Sequence, residues 1–86
     1  ENQLLGQNFP NPFENATTIS MNLTEKSQVV LSVYSQDGKL VEELVNEVLD
    51  KGTHEVDFPA RQLPAGLYYY MLQTPQKIVT RKMMIK

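Results

Sequence analysis

The chain has one histidine, His54, and no cysteine. A histidine-rich metal site, a thiolate site and a disulfide framework are therefore all excluded. His54 lies in phase with Val56 and Phe58, the spacing of a strand residue that packs its ring against a half-buried face. Ser20, Ser27, Ser32 and Ser35 could act as nucleophiles only with a G-x-S-x-G elbow or a similar setting, and no such motif surrounds them. The glycines Gly6, Gly38, Gly52 and Gly66 are too far apart to cradle a phosphate. Glu42 and Glu43 are neighbours, so a strand would send them to opposite faces and separate them as an acid–base pair. Asp50, Asp57 and the glutamates lack the close D-x-D-x-D-G spacing of a calcium loop. Tyr68-Tyr69-Tyr70 could stack on a sugar or a base, but alternation turns Tyr68 and Tyr70 inward with Leu72. One ring, Tyr69, stays outside, so the run reads mainly as core aromatics. The expectation is no enzyme activity, no metal and no cofactor.

These residues sit on a pattern of period two broken at regular intervals by turns. In 17–23, Ile19, Met21 and Leu23 face one way, and Thr18, Ser20 and Asn22 the other. In 28–34, Val29, Leu31 and Val33 share a face. Ser35-Gln36-Asp37-Gly38 then turns the chain, with Asp-Gly expected to supply the positive-φ positions of a tight hairpin. The segment 39–49 is ambiguous, because Leu40, Val41, Leu44, Val45 and Val48 have helical spacing. Its three valines and flanking turns favour a strand with an irregular second half. A strand at 53–58 follows, then a loop at 59–66 that holds two prolines. Strands at 67–74 and 78–85 complete the pattern. In the last, Val79, Met83 and Ile85 face opposite to Ile78, Thr80 and Lys82. With a further strand near 4–8, these make an all-β, immunoglobulin-like antiparallel sandwich of about seven strands.

Eighty-six residues make one domain. A chain of this size buries roughly 60–65% of its unfolded surface, so the core must be economical. The longest apolar run, from Leu67 to Leu72, is far short of the roughly 20 residues of a spanning helix. The chain begins at Glu1 and lacks a charged-then-apolar leader, which suggests a domain cut from a longer protein. The net charge of −2 is unevenly spread. Lys77, Arg81, Lys82 and Lys86 fall in the last ten residues, while all ten acids and the other four bases precede them. That basic strand either steers a partner or guards an edge against aggregation.

The motifs now combine. Gln7-Asn8-Phe9-Pro10-Asn11-Pro12-Phe13 precedes Thr17-Thr18-Ile19. Val33-Tyr34, Asp37-Gly38-Lys39-Leu40-Val41 and Gly52-Thr53-His54-Glu55-Val56 follow. Leu63-Pro64-Ala65-Gly66-Leu67-Tyr68-Tyr69-Tyr70 and Arg81-Lys82-Met83-Met84-Ile85-Lys86 come last. This series closely resembles the type A C-terminal sorting domain of the type IX secretion system, over nearly the whole chain.

The resemblance implies that residues 1–86 are a single sorting domain from a larger secreted protein of the Bacteroidota or a related phylum. It implies that the outer-membrane translocon and its shuttle proteins are the partners, acting on a cargo fused N-terminally. That cargo crosses the periplasm and reaches the cell surface or the medium. Neither a nucleic acid nor a small-molecule substrate is implied. Asn8, Pro10, Asn11 and Pro12 match the family's opening motif, where two prolines in three residues would enforce an extended, non-helical lead-in. Gly66 and Tyr68 match its Gly-x-Tyr, with Gly66 opening a core strand. Arg81, Lys82, Met83, Met84, Ile85 and Lys86 match the terminal motif for translocon recognition, which strand addition to a receptor would suit. Where the family usually carries Asn-Pro-x-Thr after Phe13, this chain has Glu14-Asn15-Ala16-Thr17, which loosens that turn. The competing reading is an immunoglobulin-like accessory module that binds carbohydrate or a cell surface, and it requires exposed coplanar aromatics on one face.

Overall fold

A computed structural model describes residues 4–61 and 63–86. Its strands are β1 (Ala16–Leu23), β2 (Ser27–Ser35), β3 (Leu40–Leu49), β4 (Gly52–Pro59), β5 (Gly66–Gln73) and β6 (Ile78–Ile85). They form two antiparallel sheets, β1–β4 and β3–β2–β5–β6, so the fold is the expected immunoglobulin-like sandwich. Alternation creates the core. Ile19, Met21 and Leu23 from β1 and Phe58 from β4 meet Val29, Leu31, Val33, Tyr70 and Leu72 from the larger sheet, all buried. Phe13 and Phe58 meet edge to face with ring centroids 6.3 Å apart, a favoured aromatic geometry.

β3 is a strand despite its helical spacing, and its register explains why. Tyr34 pairs with Leu40 and Val33 with Glu42, so Val41 is an extra residue; Leu31 pairs with Val45 and Ser32 with Glu43, so Leu44 is another. Each bulge shifts the side-chain phase by one. The result is that Val41, Leu44 and Val45 all pack against the core. The irregularity therefore lies in the first half of the strand, at Val41 and Leu44, and not in the second half.

The hairpin from β2 to β3 also differs from expectation. Gly38 has φ +90°, whereas Asp37 is not in the positive region. The Gly38 N–H donates to the Ser35 carbonyl (3.0 Å), and the Ser35 N–H to that of Lys39 (2.8 Å). One glycine is thus enough to close this longer turn. The expected seventh strand is reduced to two isolated antiparallel bridges, Leu5 with Met21 and Phe9 with Thr18. Main-chain bonds at Gly6, Phe9, Thr18 and Asn22 still lay residues 4–9 along β1. Six strands are formed among the described residues. The chain leaves β1 after Phe9 because the next pairing, at Phe13, lies on the other sheet.

Candidate functional site

β6 is an edge strand, and among the six strands it pairs with β5 through the ladder from Gly66–Ile85 to Gln73–Ile78. Alternation divides its terminal motif in two. Met83 and Ile85 are buried in the core, whereas Lys82, Met84 and Lys86 are exposed. Arg81 is half-buried, and its Nε donates to the Leu5 carbonyl at 2.7 Å. The six motif residues therefore have distinct placements, and three of them present side chains to solvent.

The outer edge of β6 is covered over its second half. The Phe13 N–H donates to the Met84 carbonyl (3.0 Å), and the Lys86 N–H donates to the Phe13 carbonyl (2.8 Å). The Met84 N–H donates to Asn11 Oδ1 (2.9 Å), and Gln7 Nε2 donates to the Lys82 carbonyl (2.8 Å). Strand addition along 82–86 is thus already taken up by the chain's own opening segment. By ladder alternation, the main-chain groups of Ile78 and Thr80 also point outward, and they have no such cover among the described residues.

The opening motif is held by a buried polar cluster. Asn8 Nδ2 donates to Thr17 Oγ1 (2.9 Å) and to the Pro10 carbonyl (3.3 Å). Thr17 Oγ1 donates to the same carbonyl at 2.8 Å. The Asn8 N–H donates to the Tyr70 hydroxyl (2.8 Å), which in turn donates to the Gly6 carbonyl (2.7 Å). Burial pushes the Tyr70 hydroxyl above its ordinary value of 10.0, against the opposing pull of the Asn8 hydrogen bond and the Arg81 charge. Among the described residues, no buried side-chain nitrogen or oxygen lacks a partner, as a stable buried network requires.

The lead-in is non-helical, as the prolines imply, but it is bent and not extended through 10–12; both Phe9–Pro10 and Asn11–Pro12 are cis. The bend takes the chain from the edge of one sheet to the edge of the other. Phe9 stays 80% exposed while Phe13 is buried at 2%. Gly66 has φ +146° with nothing near a would-be Cβ, so conformation and not crowding demands glycine there. Tyr68 packs inward, its hydroxyl donating to the Pro64 carbonyl at 2.7 Å.

Sequence reasoning missed Gln7, Phe13, Thr17 and Tyr70 as parts of this assembly. Tyr70 could have been found from its parity with Tyr68 and the need of a buried hydroxyl for a partner. The others have no local signal. His54 is half-buried, and its Nε2 lies 2.7 Å from the Asp50 carbonyl, to which it donates. No three His, Cys, Asp or Glu side chains among the described residues converge to hold a metal.

The fold and site define an immunoglobulin-like sandwich whose opening segment clasps its last strand. A family model for the secretion system C-terminal sorting domain matches residues 7–86, and the chain belongs to that family. It is a C-terminal sorting signal for type IX secretion, acting with that machinery on a fused cargo bound for the cell surface or beyond. Among solved structures it is similar to PorZ of Porphyromonas gingivalis, described as an essential bacterial surface component of the type-IX secretion system. The TM-score is 0.69 at 17% identity, over 93% of this chain and 11% of PorZ, a likeness that shows the fold alone. No curated protein matches the chain.

Proposed function

We propose that the folded domain is recognised by the outer-membrane translocon and its shuttle proteins through the exposed half of the terminal motif. In this reading Lys82, Met84 and Lys86 make the contacts, while Arg81, Met83 and Ile85 hold the strand in place. Asn8, Pro10, Asn11, Pro12, Gly66 and Tyr68 maintain the shape that presents it. The domain has no catalytic role and needs no cofactor; it directs an N-terminally fused cargo from the periplasm across the outer membrane. The observation that carries the reading is the split of the motif into buried Met83 and Ile85 and exposed Lys82 and Met84.

The test fuses residues 1–86 behind a fluorescent protein with a signal peptide, in a Bacteroidota host with type IX secretion. Deleting 82–86 would remove Met83 and Ile85 from the core and confuse misfolding with lost recognition. The informative variant is Lys82→Glu/Met84→Ser/Lys86→Glu. The intact fusion should reach the surface or medium only with a working translocon, and the triple variant should stay periplasmic at an unchanged Tm. Export of the triple variant at the level of the intact fusion would overturn the assignment.

A further inference from the structure

The outer faces of the two sheets have opposite chemistry. On the β1–β4 sheet the outward pairs are Thr18–Asp57, Ser20–Glu55 and Asn22–Thr53, all polar. Thr18 Oγ1 donates to Asp57 Oδ1 (3.0 Å), and Thr53 Oγ1 to Asn22 Oδ1 (3.2 Å). That face is a solvated ladder. On the larger sheet one outward row runs Leu40–Tyr34–Tyr69–Lys82, and the next pairs Leu67 with Met84. Leu40 is 58% exposed and Met84 42%, with Tyr34, Leu67 and Tyr69 half-buried between them. Isolated apolar residues on a surface are ordinary, but five of them in adjoining rows make a patch that marks a binding face.

Charge tells which partner suits it. Of the bases between residues 77 and 86, Lys82 and Lys86 share the outward parity of Met84, with no acid in that stretch. The acids of β3, Glu42, Glu43 and Glu47, lie at the opposite edge. A ligand centred on the tyrosine row would meet positive charge where it crosses β6. A face-to-face second copy is undersized. Four strands about 4.8 Å apart and eight residues long offer roughly 500 Å² per copy, against about 800 Å² per partner in a stable interface. A transient recognition event fits the smaller area.

We infer that Tyr34, Tyr69, Leu67 and Leu40 extend the recognition site beyond the terminal strand. The occupant is a protein surface with an apolar centre and with carboxylates over Lys82 and Lys86. This rests on the reading that Lys82, Met84 and Lys86 are contacted in export. It adds to them a platform built from three other strands.

The same secretion fusion tests it, with Tyr34→Thr/Tyr69→Thr and, separately, Leu40→Lys. Threonine suits a strand, and Leu40 is too exposed for a lysine there to unfold the core. Each variant should lower the exported fraction about tenfold, equivalent to about 1.4 kcal/mol of recognition, while Ser20→Lys on the other face leaves export unchanged. If the tyrosine variant loses thermal stability, Leu40→Lys decides. Wild-type export by Leu40→Lys and the tyrosine variant, with the triple β6 variant retained, would overturn the platform and leave the β6 reading standing. Export of all three would overturn both. A dimer seen by light scattering and broken by Tyr34→Thr/Tyr69→Thr would reassign the face to a second copy. Tyrosine-dependent capture on a glycan array would reassign it to a carbohydrate.

Discussion

Replacing Tyr70 by phenylalanine removes a single oxygen, yet that oxygen joins the opening segment to β5, one of the two inner strands of the larger sheet. It accepts from the Asn8 N–H at 2.8 Å and donates to the Gly6 carbonyl at 2.7 Å. Asn8 is only 2% exposed, so its N–H would be left unpaired out of reach of water. Such a loss costs about 1–3 kcal/mol. Gly6 is less buried, and its carbonyl can recover a water. A net cost of about 2 kcal/mol follows, which for a domain of this size lowers Tm by about 8–16 °C. Thermal and urea unfolding followed by circular dichroism measure it, with the urea slope unchanged because the same surface is exposed. Tyr68→Phe is the matched control, losing only its bond to the Pro64 carbonyl, and should cost about 1 kcal/mol. The pH dependence gives a second readout. Because the folded value of Tyr70 is raised above the unfolded 10.0, the folded state holds the proton more tightly. Its contribution is complete below pH 10 and is lost as pH rises toward the folded value. Tyr70→Phe should flatten that alkaline loss. A Tm shift below about 3 °C, or equal costs for Tyr68→Phe and Tyr70→Phe, would refute the role assigned to this hydroxyl.

Asn8→Ala should cost about 2–3 kcal/mol in urea unfolding, since it removes the buried donor to Thr17 and Pro10. Asn8→Asp, which cannot donate when ionised, should do no better; rescue by aspartate would contradict the bonding. Gly66→Ala should cost about 1–3 kcal/mol without any clash, because the strain lies in φ +146° alone. An unchanged midpoint would show that the strand can start in another way. Asn11→Ala should cost only about 1 kcal/mol but should speed hydrogen exchange at the Met84 amide, which Asn11 Oδ1 accepts. Unaltered exchange there would mean that Asn11 does not cap the edge.

The strands were legible because each carries its own alternation: Ile19, Met21 and Leu23, or Tyr68, Tyr70 and Leu72, reveal their face without help from the rest of the chain. β3 was harder, since Val41 and Leu44 each insert a residue opposite β2, and a bulge imitates helical spacing. The terminal motif was visible as a basic run. Parity set Met83 and Ile85 on the face opposite Lys82, and the packing of the two sheets makes theirs the buried one. The cover on its edge was not visible, because Gln7, Asn11 and Phe13 meet β6 only after both sheets have closed. Tyr69 was expected outside. That Tyr34 lies opposite it depends on the β2–β5 register, which no local pattern reports.

The bonds between the opening segment and its partners span 64 residues for Tyr70 to Gly6, 73 for Met84 to Asn11 and 76 for Arg81 to Leu5. The part of the domain synthesised first therefore waits for the part synthesised last. A chain that ends before Met83 lacks both the core methionine and the edge against which Phe13 pairs. Synthesis must run through to β6 before the clasp can form, so the native shape itself certifies that the translated domain is whole.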